Sequence, residues 1–295
     1  MKVFIKRCFI LSLIVLLSFG VVIGLPSRKA NAQMPFYDLK PSFLRVRSDF
    51  STGYSTSTEE RKSNISTAVK SLNKVFVDVG AEFSFNRTVG PRTEKRGYKS
   101  AKIIVGGKFV DGVGGGVCQV STTLYNAVLL AGLKVIEYHP HSLPVSYIEP
   151  SFDAMVNSGS ADLKFINNTH NPLIILATAD GERVRVKILG EPMQEKYLRQ
   201  SNITEYVSPP EDEIIKDELG EYPELYEGER KTVTWAKQGY CSEGFLVKTV
   251  GGVTVQSKRI RKDKYNAVRG VVVEGKAKRP EIELAPPFPL ENLAG

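Results

Sequence analysis

Thiols and imidazoles are scarce in this chain: its 295 residues include three cysteines and three histidines. Cys8 sits in an uncharged N-terminal run, which leaves Cys118 and Cys241 far apart in sequence. Small secreted domains braced by dense disulfide frameworks need more than that. The two remaining cysteines are either one bridge between separate modules or two independent thiols. No HExxH, CxxC or Walker-type loop occurs, so zinc-peptidase, dithiol-redox and nucleotide-phosphate chemistry lack their residues. Charge is missing too, from residues 8–25, CFILSLIVLLSFGVVIGL, directly after the basic start MKVFIKR. With the small-residue triplet Ala30-Asn31-Ala32 behind it, this segment reads as an export signal over residues 1–32. An apolar run of this length also spans a bilayer, so retention as an anchor is the alternative to cleavage. Either way the destination is the cell wall or the outer face of the cytoplasmic membrane.

The chain is long enough for one medium domain and a smaller one, and its 42% hydrophobic content is ordinary for a globular protein. Residues 33–58 are rich in Ser, Thr and Pro and read as a spacer. In EERKSNISTAVKSLNKVFV the positions Ile65, Val69, Leu72 and Phe76 recur at near-helical spacing, with Gly80 as the stop. AEFSF alternates as a strand, and Gly106-Gly107 between IIV and KFV marks a tight hairpin. KVIEYHPH, LPVSYI, ADLKFIN and LIILATADGERVRVKIL read as further strands, the last turning at Asp180-Gly181. Helices mixed with antiparallel hairpins over residues 59–200 argue for an α+β domain. Residues 201–223 read as an acidic, Pro-bearing linker. Residues 224–280 then read as a small all-β module with a hairpin at Gly251-Gly252, and 281–295 as a disordered tail. The net charge of +8 is uneven, with acid concentrated over 205–229 and base over 258–279. Outside the membrane, a basic surface suits anionic wall polymers or lipid head groups rather than nucleic acid, a solvated charged face being the alternative.

The most informative stretch is GGGVCQVSTTLYNAVLLAG, residues 114–132. Val120, Leu124, Val128 and Ala131 fall at helical spacing and Gly132 ends the run, so the helix begins at or just before Cys118. A sulfur in the first turn lies where backbone N–H groups are unpaired and the macrodipole is positive, which favours thiolate. Gly114, Gly115 and Gly116 would let a substrate backbone approach the sulfur and the free amides. A small buried cysteine beside a tight turn is the competing reading.

FSFNRTVGPRTEKRGYKSA, GGKFVDGVGGGVCQVSTTLYNAVLLAGL and HPHSLPVSYIEPSFDAMVNSGSADLKFINNT together resemble the VanW domain of exported bacterial envelope proteins, over roughly residues 81–178. Residues from about 224 to 276 look like a G-five domain, a β-rich adhesive module associated with polymers containing N-acetylglucosamine, departing from that pattern at Gln238-Gly239-Tyr240-Cys241. The resemblance implies cell-envelope work: VanW domains are associated with glycopeptide-resistance gene clusters, and some with L,D-transpeptidase activity, in which a cysteine forms peptidoglycan cross-links. It places the thiol at Cys118 and the histidine motif at His139-Pro140-His141-Ser142, and it implies no metal and no diffusible cofactor.

A cysteine acyltransferase needs a thiolate, a base and oxyanion donors. His139 and His141 are the candidates for the base, since i, i+2 spacing puts both on one face of an extended segment and Pro140 favours extension at His139. The N–H groups of Cys118 and Gln119, with the Gln119 side chain, are the oxyanion candidates. Asp153 and Asp162 are candidates to orient a histidine, against turn or exposed carboxylates. Arg92 and Arg96 are candidates to clamp a stem-peptide carboxylate. The expected partners are peptidoglycan stem peptides and glycan. The alternative function is a non-catalytic envelope-binding protein with a structural thiol. Cell fractionation checks the export signal: the chain is expected with membrane or wall, and recovery of full-length protein only from cytosol would contradict it.

Overall fold

The computed structural model describes residues 44–279. The signal or anchor at 1–32, the first part of the spacer and the tail at 281–295 lie outside them. Among the described residues no helix is long and apolar enough to cross a membrane. The chain runs β1 (Arg45–Gly53), α1 (Glu59–Leu72), β2 (Val75–Val77), β3 (Glu82–Ser84), α2 (Phe85–Val89), β4 (Ser100–Val105), β5 (Lys108–Val113), α3 (Val117–Leu130) and β6 (Lys134–Glu137). It continues with β7 (Lys164–Ile166), β8 (Leu173–Ala179), β9 (Arg183–Gly190), β10 (Glu195–Val207), β11 (Glu213–Lys216), β12 (Arg230–Thr234), β13 (Gly239–Val250), β14 (Val253–Tyr265) and β15 (Val271–Glu274). The architecture is mixed but sheet-rich, and among these strands pairing is antiparallel except between β11 and β15.

The central sheet has the order β1-β9-β8-β2, and α1 and α3 pack against it. Its first strand corrects the spacer reading. Ser48 and Thr52 of β1 are buried, Ser48 Oγ donating to the Ala127 carbonyl at 2.7 Å and Thr52 Oγ1 sharing a 2.8 Å hydrogen bond with Thr123 Oγ1. A strand whose buried face is hydroxylated has no apolar alternation to betray it. The helix read through Phe76 also stops early. Asn73 caps α1 in an extended conformation, Lys74 takes a φ of 64°, and Val75–Val77 leaves as a fully buried strand paired with β8. Three consecutive buried residues suit a covered strand as well as a helix, which is why periodicity alone misassigns them. LPVSYI forms no strand.

The linker reading needs the largest correction. Glu195–Val207 pairs along its length with β13, and Glu213–Lys216 pairs with β15. Residues 201–207 and 213–216 are therefore sheet. The acidic and basic stretches also meet, in ion pairs such as Glu218–Lys276 at 2.6 Å and Glu229–Arg279 at 2.6 Å. Part of the charge asymmetry is thus met within the module itself.

Helix α3 positions everything that follows. It is buried nearly all round, and its polar residues Gln119, Ser121, Thr122, Thr123 and Asn126 are buried with it. Buried polar groups must find partners, and here they supply the hydrogen bonds of an irregular segment, residues 152–156, that no strand pairs. Ser121 Oγ donates to the Ala154 carbonyl, the Ala154 N–H donates to Thr122 Oγ1 at 2.9 Å, and Asn126 Nδ2 donates to the Phe152 carbonyl at 2.8 Å. Arg199 of β10 donates to Asn126 Oδ1 at 2.7 Å. Removing Asn126 strands the Phe152 carbonyl and one Arg199 donor. Asn126→Ala is expected to lower unfolding free energy by about 2–3 kcal/mol in urea denaturation, and a loss below about 0.5 kcal/mol would contradict this account of the segment.

Candidate active site

Cys118 is the second residue of α3, partly buried, with Gly116 as N-cap at a φ of 108°. The Val117 N–H bonds back to Gly114 at 3.2 Å and the Gln119 N–H to Gly116 at 3.0 Å. The Cys118 amide has no such backbone partner among the described residues. It remains the candidate oxyanion donor, whereas the Gln119 N–H is already committed. The Gln119 side chain is also committed, donating to the Gly53 carbonyl at 2.7 Å and Thr52 Oγ1 at 3.1 Å while accepting from Arg61 at 3.0 Å.

The glycines act differently from the sequence expectation. Gly115 and Gly116 are buried rather than open to a ligand. A Cβ on Gly115 would lie 2.7 Å from the Lys102 carbonyl, and one on Gly116 would lie 2.9 Å from Ile65 Cγ1. They let the start of α3 dock against β4 and α1, which fixes the sulfur's position.

His141 and Asp153 complete the arrangement. His141 is buried and lies close enough to Cys118 for each to shift the other's ionisation. Its Nδ1 lies 2.7 Å from Asp153 Oδ2, and its backbone N–H donates to the same oxygen at 2.6 Å. Asp153 also accepts from Arg261 Nη2 at 3.1 Å and Tyr265 OH at 2.6 Å, both from β14. Arg261 further donates to the Asp153 backbone carbonyl. Burial pushes the Asp153 carboxyl up, but the His141 hydrogen bond, the Arg261 charge and the Tyr265 hydroxyl overcome it and bring it down to about 2. Burial likewise works against charge on His141, yet Asp153 and Cys118 push it up to about 9. For Cys118 burial favours the thiol, and the hydrogen bond and charge of His141, the backbone at Val156 and the charge of Arg92 outweigh it, so the net direction is down. In the thiol form Sγ donates to the Val156 carbonyl at 3.3 Å. The directions of these shifts favour a thiolate–imidazolium couple with a carboxylate behind it.

The other candidates separate cleanly. His139 lies outside the couple, with Nε2 3.1 Å from Glu137 Oε1. Asp162 orients no histidine; it accepts from Ser84 Oγ at 2.5 Å and from the Asn86 N–H at 2.9 Å, fixing the start of α2. Arg92 is partly buried, its charge felt at Cys118, with Nη2 held by Asn86 Oδ1 at 2.6 Å. Arg96 is exposed nearby. Tyr147, Arg261 and Tyr265 were not singled out in the sequence. Tyr147 lies close enough to Cys118 and Asp153 for their charges to raise its phenol beyond the effect of burial. A basic residue in a run of bases, or a tyrosine in a strand-like segment, carries no local mark of such a role. Cys118 and Cys241 are both free thiols, and among the described residues no group of three or more His, Cys, Asp or Glu is placed to hold a metal.

Residues 60–189 match the family described as VanW like protein. Over 149 residues the chain is 40% identical to the uncharacterized protein YoaR of Bacillus subtilis (strain 168), covering 50% of this chain and 49% of that one. Over 158 residues it is 31% identical to the Vancomycin B-type resistance protein VanW of Enterococcus faecalis (strain ATCC 700802 / V583), covering 51% and 57%. The chain thus spans about half the length of the curated relatives it matches. Among solved structures it is similar to an IgA1 protease G5 domain, at 19% identity and a TM-score of 0.18 over 30% of this chain and 96% of that one. It is also similar to HP0197-G5, at 14% identity and a TM-score of 0.15 over 28% and 100%.

The couple makes a pH prediction. Wild-type Cys118 is expected to be alkylated by iodoacetamide with a midpoint below the ordinary thiol value. His141→Gln, which removes the imidazolium, is expected to move the midpoint toward the ordinary thiol value of about 8.5. Identical profiles for the two proteins would rule out the couple.

Proposed function

We propose that the VanW-like domain of this chain is a cysteine acyltransferase of the L,D-transpeptidase type, in an exported cell-wall protein that acts on peptidoglycan stem peptides. The observation that carries the reading is the Cys118–His141–Asp153 chain, all three members of which lie within the matched residues 60–189. The name of the VanW relative, a vancomycin resistance protein, supports a place in cell-wall chemistry.

In this reading the Cys118 thiolate attacks a backbone carbonyl of a donor stem peptide. The sulfur–carbon bond forms as the carbonyl π electrons move onto oxygen, where the Cys118 N–H receives the negative charge. Collapse breaks the carbon–nitrogen bond, and the His141 imidazolium gives its proton to the departing amine of the terminal residue. An amine on a neighbouring stem then attacks the thioester. Neutral His141 takes its proton, and the thiolate leaves to restore the starting couple. Asp153 holds the imidazole in the tautomer and orientation both transfers need. In the same reading Arg92 and Arg96 receive a stem-peptide carboxylate, while the C-terminal module holds the chain to wall glycan.

The contact of Cys118 Sγ with the Val156 carbonyl favours a second reading, a structural thiol in a non-catalytic wall-binding protein. One variant series separates them. With purified stem peptides, Cys118→Ser is expected to lower cross-link formation below about one-thousandth of wild type, and His141→Ala to lower it roughly 10²–10⁴-fold, without loss of fold or wall sedimentation. Full cross-linking by folded Cys118→Ser would overturn the nucleophile and leave the binding reading.

A further inference from the structure

We propose that the C-terminal β module is a working part of the acyl-transfer site, with Arg261 and Tyr265 as positioning residues that hold Asp153, and through it His141, where they serve Cys118. This rests on the reading of Cys118 and His141 given above. Neither residue touches the sulfur, and both lie beyond the matched region at 60–189.

The contact is built, not incidental. Arg261 is 3% exposed and Tyr265 1%. Arg261 reaches across the module boundary with one nitrogen on the Asp153 carboxylate and another on its backbone carbonyl, while its Nε is held from behind by Asp263 at 2.9 Å. Its guanidinium lies 4.7 Å from the ring centre of Tyr138 and 5.6 Å from that of Tyr125, so residues from α3, from the chain after β6 and from the 152–156 segment all converge on one side chain of β14. Tyr265 OH donates to Asp153 and accepts the Ser151 N–H at 2.8 Å. Ser151 Oγ is bonded to Ser242 Oγ of β13 at 2.7 Å. Ser151 has a φ of 62°, a conformation that side-chain-bearing residues rarely adopt, two positions before Asp153. Both groups that clasp it, Tyr265 and Ser242, come from the second module. The Asn266 N–H donates to the Ser142 carbonyl at 2.8 Å, so the same module also ties down the residue after His141.

A carboxylate this buried serves a histidine only if its remaining lone pairs are occupied and its charge is balanced. Among the described residues, the VanW-like domain supplies no cation on Asp153 besides His141. The charged and titratable groups around the couple are His141, Arg92, Tyr147 and, beyond Tyr147, Arg61 on the sulfur side, and Arg261, Asp263, Tyr265, Tyr240, Tyr125 and Tyr138 on the Asp153 side. Arg261 is the permanent cation that contacts Asp153, beside the titrating His141. Without it the environment becomes more negative, which disfavours the thiolate and moves the acid limb of Cys118 reactivity to higher pH.

The test uses the full chain and two readouts, the pH profile of Cys118 alkylation by iodoacetamide and the rate of acyl transfer between stem peptides. Arg261→Met is expected to move the alkylation limb up by roughly half a pH unit or more and to reduce acyl transfer at least about 100-fold, with Arg261→Lys restoring the limb. Tyr265→Phe keeps the ring and removes the donor, and is expected to slow acyl transfer about 10-fold with a smaller upward shift. If Arg261→Met does not fold, Tyr265→Phe decides. Variants matching wild type in both readouts would overturn the inference, as would slowed transfer with no shift in the limb in either variant, because a merely structural contact behaves that way. Absence of acyl transfer by wild type itself would instead remove the acyltransferase reading, and the alkylation profiles alone would then judge whether β14 tunes the couple.

Discussion

The carboxylate of Asp153 is the constraint around which this structure is arranged. It is 1% exposed, and an isolated charge so placed would cost several kcal/mol and neutralise itself. It stays ionised because two donors from His141, one from Arg261 and one from Tyr265 surround it. Each donor brings a different part of the chain to the same point. The segment carrying Asp153 is held along α3 by Ser121, Thr122 and Asn126, and Cys118 stands at the start of that helix. The distance from thiol to carboxylate is therefore set by one rigid element. Loops connecting the three residues have little left to decide.

The glycines before Cys118 serve the same end. Their missing side chains let the first turn of α3 sit against β4 and α1 at backbone distance, which no residue with a Cβ permits. Rigid placement of a nucleophile matters because reacting atoms must meet within a few tenths of an ångström of the productive geometry. In the first turn, the Cys118 amide has no backbone partner among the described residues. Its neighbours on either side are already bonded.

Much of this could be read in the chain. The helix at 117–130, its thiol in the first turn, the hairpins at Gly106-Gly107, Asp180-Gly181 and Gly251-Gly252, and the approach of a histidine after the helix all carry local signals. Residues whose partners are distant in sequence were legible only in part. His139 and His141 are equivalent by spacing, and it is Asp153, twelve positions on, that distinguishes them. Asp162 and Asp153 look alike until one is found against α2 and the other against the imidazole. β1 was hidden because its buried face is Ser and Thr. β10 was hidden because its acidic surroundings resemble a linker, although its pairing with β13 is a long-range matter that composition does not report. Arg261 was hidden most completely, as one base among many whose difference is burial.

The central claim is that Cys118 is a nucleophile made ready by His141 and Asp153. Intact-protein mass spectrometry after incubation with a stem tetrapeptide, followed by peptide mapping, tests it most directly. The account predicts a covalent adduct on Cys118 with the mass of the donor acyl group less its terminal residue, discharged when an amine acceptor is added. A wild-type protein that stays unmodified under conditions where iodoacetamide reaches the same sulfur would contradict it.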